Sequence, residues 1–214
     1  MADKRDYKKE YRDLYQPGKR PSLVDVPPIP MFLVDGAGDP SGAAYQAAMS
    51  ALYTVTFTLK MSRLGPWQPE GYFDYVLPPL EGFWWTEEGG HDLLSVPRST
   101  WRWTSALRAP EYATPQVLRW ALEECARKKP GVDLSGVRLE TVTEGLCVQC
   151  MHIGPYDDEP ATVSAMWEYA KAKGYEEDFG EDRFHHEIYL SDVRRCKPER
   201  LKTVIRHPIK RTEL

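Results

Sequence analysis

The 214-residue sequence predicts an α+β fold: duplicated strand-helix-strand-strand units forming curved antiparallel sheets, with helices on one side and a central ligand cleft. Three observations predict it. Apolar stripes at helical spacing are each closed by Gly or Pro stop signals. Short runs rich in aromatic and β-branched residues lie between them, with the period-two alternation of strands. The same element order appears in both halves, where the turn DGAGDPSGAAYQAAMSALY of the first resembles HIGPYDDEPATVSAMWEYA of the second.

Residues 1–21 read as an N-terminal arm and 22–214 as a single domain of two pseudo-repeats, about 22–108 and 109–214. In the arm, Tyr7, Tyr11 and Leu14 sit at helical spacing, and Pro17, Gly18 and Pro21 end the pattern. After Pro27, Pro28 and Pro30, the run Met31 to Val34 reads as a strand. Asp35 to Ser41 is a turn with helix-start chemistry, since Asp39 or Ser41 can cap and Pro40 suits a first turn. A helix follows from about Gly42 to Met61, with Ala44, Ala48, Ala51, Leu52, Val55 and Leu59 as its apolar stripe. Tyr72 to Leu77 and Leu80 to Trp85 read as two aromatic strands. Thr86 to Pro97 is a loop, and Trp101 to Leu107 a further strand. The second half opens on Thr114-Pro115, a cap and first-turn pair, with a helix to about Lys129. Arg138 to Ile153 is a long strand or a hairpin interrupted at Glu144-Gly145. A helix from Glu159-Pro160 to Lys173 and strands over Phe184 to Leu190 and Lys202 to His207 complete the chain.

Composition narrows the function classes. The 28 basic and 32 acidic residues give a net charge of −4, so no overall field draws the chain to nucleic acid or an anionic membrane. The basic runs near the C-terminus are interleaved with acids and read as solvated surface. The longest uncharged stretch, Pro40 to Leu59, suits a core helix better than a bilayer span. MADKRDYKKEYRDLY lacks the apolar core of a signal peptide, so a cytoplasmic location is expected. The four cysteines are then free thiols. Cys147 and Cys150 have C-x-x-C spacing, but on a strand they point to opposite faces, which is wrong for one metal. With no phosphate-binding loop, zinc pattern or Ser-centred elbow, neither metal nor cofactor is expected.

What stands out is 7 Trp, 12 Tyr and 6 Phe, a supply of rings for a pocket as well as a core. Glu187 is the leading chemical candidate. Strand alternation in Phe184 to Leu190 puts Glu187 and Tyr189 on one face and Ile188 on the other. A carboxylate covered there is kept only with a partner or a task. The structural alternative is a salt bridge to Arg183 or Arg206. Tyr156 follows the Gly154-Pro155 turn, which fixes its direction, so its hydroxyl can donate to a ligand oxygen. Trp84, Trp101 and Trp103 are candidate walls; Trp84 and Trp85 must face opposite sides, whereas Trp101 and Trp103 share one. Glu81 is loosely equivalent to Glu187 under the repeat and is a second candidate carboxylate. His152 is close enough to the Gly154 turn to reach the cleft, though a satisfied structural histidine is the ordinary reading. His185 and His186 face opposite sides, and Tyr53 and Phe57 read as core.

Three sets of segments carry a family resemblance: MHIGPYDDEPATVSAMW (Met151 to Trp167); FHHEIYLSDVRRCKPERLKTVIRHPI (Phe184 to Ile209); and DLYQPGKRPSLVDVP, LYTVTFTLKM and LPPLEGFWW in the first half. In this order they resemble the GyrI-like small-molecule-binding family, in its stand-alone branch without a DNA-binding domain. The resemblance implies a duplicated fold around a ligand pocket, with Glu187 inside it. The stand-alone branch includes cyclopropanoid cyclopropyl hydrolases, which add water to the cyclopropane ring of DNA-alkylating natural products. On that reading Glu187 is a general base, Tyr156 steadies the developing oxyanion, and the partner is an aromatic small molecule. The alternative is a non-catalytic trap for lipophilic aromatic or cationic compounds. A relative that modulates gyrase adds a protein partner such as gyrase as a further reading.

Overall fold

The computed structural model describes residues 4–86, 88 and 92–213; part of the loop expected over 86–97 and residues 1–3 of the arm lie outside them. Among the described residues there are nine strands and five α-helices. The arm supplies two short helices, α1 (Tyr7–Glu10) and α2 (Arg12–Tyr15). The first half contains β1 (Ser22–Val26), β2 (Ile29–Ala37), α3 (Ala43–Lys60), β3 (Leu80–Thr86) and β4 (Trp101–Arg108). The second contains α4 (Pro115–Lys128), β5 (Arg138–Val142), β6 (Gly145–Ile153), α5 (Glu159–Ala172), β7 (Tyr175–Glu177), β8 (His185–Tyr189) and β9 (Lys202–Arg211).

All strands belong to one antiparallel sheet in the order β1-β6-β9-β8-β3-β4-β2-β5, with β7 paired to the end of β9. The duplication is visible in this order. β2, α3, β3 and β4 form one strand-helix-strand-strand unit, and β6, α5, β8 and β9 form the other. They meet where β3 pairs with β8. Each unit receives its outer strand from beyond itself: β1 pairs with β6, and β5 pairs with β2. The stretch from Arg138 to Ile153 is therefore no hairpin, since β5 and β6 bond to different partners and separate at Thr143-Glu144. In the first half the matching break falls at Pro27-Pro28, where two successive residues lack the N–H a ladder needs. The expected strand from Tyr72 to Leu77 is irregular chain apart from one bridge, Arg5 to Tyr75.

Helices α3 and α5 cover one face of the sheet. From α3, Tyr45 packs on Trp84 and Trp103, and Ala48, Leu52, Val55 and Leu59 are buried. From α5, Met166 and Ala170 close a core with Val148, Cys150, Ile205 and Ile209. Helix α4, capped by the Thr114 hydroxyl accepting from the Val117 N–H at 3.2 Å, lies against α3, where the Cys125 thiol donates to the Thr58 hydroxyl at 3.2 Å.

The arm packs on the opposite face. Tyr7, Leu14 and Tyr15 are buried there. The Arg108 guanidinium packs against the rings of both Tyr7 and Tyr11, 4.4 and 4.1 Å from their centroids. Arg206 donates to the Leu14 carbonyl at 2.8 Å, and the Gln149 amide to the Asp13 carbonyl at 2.6 Å. The helices are thus not confined to one side, although the two of the repeats are. No helix among the described residues is long and apolar enough to cross a membrane.

Candidate functional site

Pairing between β3 and β8 places Gly82 opposite Glu187, Trp84 opposite His185 and Leu80 opposite Tyr189. Alternation then sends His185, Glu187 and Tyr189 to the face covered by α3 and α5, in the seam between the two units. Glu187 exposes only 13% of its side chain. Its Oε1 lies 2.8 Å from His185 Nε2, and His185 Nδ1 lies 2.7 Å from His207 Nε2 of β9. Trp84 donates its indole N–H to the Tyr189 hydroxyl at 3.0 Å. Gly82 makes this contact fit: a Cβ there would lie 2.5 Å from Trp84 Nε1 and 3.1 Å from the Tyr189 hydroxyl. The Tyr45 ring stacks on Trp84, with centroids 5.6 Å apart, and Trp101 meets Trp84 edge-on at 5.8 Å. Tyr156, 36% exposed, stands edge-on to Tyr189 with centroids 6.0 Å apart, and forms the rim.

A second carboxyl completes the site. Glu159, the first residue of α5, is only 8% exposed, and its Oε1 has no hydrogen-bond partner. Glu159, Glu187 and His185 each turn one atom into a space where the three lie within 4.8 Å of one another. Two carboxylates this close do not both stay ionised. Burial and the negative charge of Glu187 raise the pKa of Glu159 well above the ordinary range, so it holds its proton. Burial pushes Glu187 in the same direction, but its contact with His185 outweighs that and keeps it ionised, below the ordinary carboxylate value. The Tyr189 hydroxyl is pushed well up by burial and by Glu187, and Tyr156 is raised by burial and by the same charge. Burial takes Tyr45 up to about 12. All three phenols are therefore hydrogen-bond donors at neutral pH. The trio Glu159, His185 and Glu187 could also supply three ligand atoms to a divalent cation.

Of the residues singled out in the sequence, the structure brings together Glu187, Tyr189, Tyr156, Trp84 and Trp101. It does not bring Glu81, Trp103 or His152 to Glu187. Glu81 pairs in register with Ile188 and so points to the other face. There it accepts from Tyr15 at 3.2 Å and contacts His186 at 3.0 Å. The repeat suggested equivalence, but strand parity separates the two carboxylates. Trp103 shares the face of Trp101 but lies in the core, packed on Gly36 so closely that a Cβ there would lie 2.0 Å from the ring. Its N–H donates to the Gly38 carbonyl at 3.3 Å. His152 is occupied by the Thr162 hydroxyl at 2.8 Å and the Pro155 carbonyl at 3.0 Å. Tyr53 and Phe57, expected in the core, are exposed on α3. Neither arginine offered as a partner for Glu187 reaches it: Arg206 is bound to Glu144 across the sheet, and Arg183 to Asp178. Two grooves, of about 490 and 410 Å³, open beside Arg138 and Phe184 on the opposite face, the first also lined by Trp85.

Sequence reasoning missed His185, His207, Glu159 and Tyr45. One signal was available: His185 lies two residues before Glu187 in the same strand and must share its face. Glu159 at a helix start reads as ordinary dipole chemistry, and nothing local shows that it is buried.

Residues 115–210 match the family model described as a GyrI-like small-molecule-binding domain. No curated protein matches the chain significantly. Among solved structures, an uncharacterized conserved protein from Listeria innocua is 47% identical, with a TM-score of 0.92 over 97% of this chain and 100% of that one. A structure described as a hydrolase from Listeria innocua is 44% identical, with a TM-score of 0.90 over the same shares. The C-terminal domain of EcmrR, 12% identical with a TM-score of 0.51 over 90% of this chain and 98% of that one, shares the fold. The chain carries a GyrI-like small-molecule-binding domain and belongs to one family with these Listeria innocua proteins.

Proposed function

We propose that the chain is a hydrolase that adds water to the strained cyclopropane ring of flat, aromatic, DNA-alkylating compounds, and so disarms them. One observation carries the reading: Glu187 is a buried carboxylate, held ionised by His185, beside a carboxyl that keeps its proton and within a wall of aromatic rings. The hydrolase described from Listeria innocua supports the reaction class, and the resemblance of MHIGPYDDEPATVSAMW and FHHEIYLSDV to the stand-alone branch supports the substrate class.

The chemistry follows from the positions. A flat guest enters past Tyr156, the exposed ring of the rim, and lies against Trp84 and Tyr189. Glu187 takes a proton from water as the water oxygen attacks the cyclopropane CH₂. The strained C–C bond breaks, and its electrons pass through the conjugated ring to the carbonyl oxygen, which becomes a phenolate. Tyr156 donates to that oxygen as its charge grows. Protonation of the phenolate and release of the proton from Glu187 restore the starting state, and the net change is the addition of one water. Ring strain and aromatisation drive the reaction. The neutral Glu159 prevents a second negative charge beside the base.

The same rings favour a second reading. An aromatic wall with one carboxylate suits a lipophilic cation, at about 0.5–2 kcal/mol for each cation–π contact, and a protein of this kind would bind and withhold its ligand. Incubation with a cyclopropanoid, followed by mass spectrometry, separates the two. Hydrolysis gives the hydrated product over many turnovers, unchanged by EDTA, and Glu187→Gln abolishes it while circular dichroism shows the fold retained. A binder gives saturable, stoichiometric quenching of tryptophan fluorescence and no product. Wild-type turnover in Glu187→Gln would remove the catalytic assignment.

A further inference from the structure

We propose that His207 is a positioning residue for Glu187: it donates its Nε2–H to Nδ1 of His185 and so keeps the His185 proton on Nε2, facing the carboxylate. The inference deepens the reading of Glu187 as the working base, but its first test reads a proton position and not turnover.

Ionised Glu187 can only accept, so the 2.8 Å contact with His185 Nε2 requires a proton on that nitrogen. In the proposed arrangement His185 is neutral and carries one N–H, so its other nitrogen is an acceptor. His185 Nδ1 finds its donor 2.7 Å away, in Nε2 of His207. Both rings are buried. The His207 ring packs against Trp167 and Phe179 in a cluster of three rings, with its centroid 5.1 Å from each and theirs 5.9 Å apart, and these contacts favour one orientation of the imidazole. β8 and β9 are paired neighbours, which fixes the backbone spacing of the two histidines. Without the His207 donor, the His185 proton is free to move to Nδ1. A bare Nε2 would then face a carboxylate oxygen, two lone pairs at hydrogen-bond distance, and Glu187 would lose the contact that holds it ionised and aimed. Second-sphere partners of this kind, studied best around metal ligands, change activity by about 10–100-fold when removed.

Long-range proton–nitrogen NMR of protein with isotope-labelled histidines tests this at neutral pH. The expected wild-type pattern has His185 protonated at Nε2 and bare at Nδ1, with His207 protonated at Nε2. His207→Phe should convert the His185 signals to a mixture of tautomers. His207→Gln, whose side-chain amide can place an N–H near the lost Nε2, should restore the wild-type pattern. With a cyclopropanoid substrate, turnover should fall about 10–100-fold in His207→Phe and recover to within a few-fold in His207→Gln. A wild-type His185 protonated at Nδ1, or at both nitrogens, would overturn the proposal, as would an unchanged His185 pattern in His207→Phe. Should His207→Phe fail to fold, the wild-type spectrum alone decides. Should the protein hydrolyse nothing, the tautomers still report on His207, so the two readings fail separately.

Discussion

Strand β8 carries two histidine–carboxylate clusters one residue out of phase, and they have opposite characters. On the back face His186 lies between Glu81 at 3.0 Å and Glu144 at 2.9 Å. Glu144 also binds Arg206 at 2.9 Å, and Arg206 reaches Gln149 at 3.1 Å and the Leu14 carbonyl at 2.8 Å. Two acids there meet two bases, and the arm covers them. Burial alone would raise the pKa of Glu144, but His186 and Arg206 bring it down to about 2. Burial alone would lower that of His186, but Glu144 and Glu81 raise it. On the front face two acids meet His185 and, among the described residues, no guanidinium, and one acid keeps its proton. The difference teaches that a closed, charge-balanced network serves as a foundation, whereas an excess of acid leaves a proton that can move. Both clusters bear on the same strand, so the back network also steadies the one that presents Glu187.

The largest expected effect breaks the back cluster. Arg206→Met leaves Glu144 and Glu81 buried without their guanidinium and should cost about 3–5 kcal/mol, read from the urea midpoint; loss of under about 1 kcal/mol would show the balance to be unimportant. On the front, Tyr156→Phe removes the donor proposed for the phenolate and should lower turnover about 100-fold with little change in stability. A smaller effect comes from Gly82→Ala, whose methyl collides with Trp84 and Tyr189. It should cost about 1–3 kcal/mol and weaken ligand binding, measured by fluorescence titration.

The finest comparison is in pH. Glu144 has a lowered pKa, so the stability it contributes is present above its ordinary value of 4.5 and is lost as pH falls toward about 2. His186 has a raised pKa. Its contribution is complete below the ordinary value of 6.5 and is lost as pH rises through the folded value. Glu159 acts the other way: a carboxyl whose pKa is raised by folding costs stability increasingly as pH rises above 4.5. Denaturation midpoints across pH should therefore show Glu159→Gln gaining on wild type as pH rises, and His186→Gln without the alkaline decline. Parallel curves for all three proteins would erase the distinction between the faces.

Much of this was legible locally. Helices α3, α4 and α5 follow from their apolar stripes and stop signals. Period-two alternation correctly separates Trp84 from Trp85, Glu187 from Ile188 and Cys147 from Cys150. What local pattern cannot supply is the identity of the neighbouring strand. Whether Glu81 joins Glu187 depends on β3–β8 register, and there one residue changes the face. The separation of β5 from β6 is likewise settled by their partners. Glu159 and His207 reach the site only because α5 and β9 converge on β8 in space. The run from Tyr72 to Leu77 has strand composition, but only Tyr75 finds a bridging partner.

One proton decides the chemistry of the site: Glu159 keeps it while Glu187, alongside, remains charged. Difference infrared spectroscopy at neutral pH, comparing wild type with Glu159→Gln, measures this directly. A protonated-carboxyl band present in wild type and lost in the variant is the predicted result. A wild-type spectrum with both groups ionised, and no such band removed by the substitution, would contradict it.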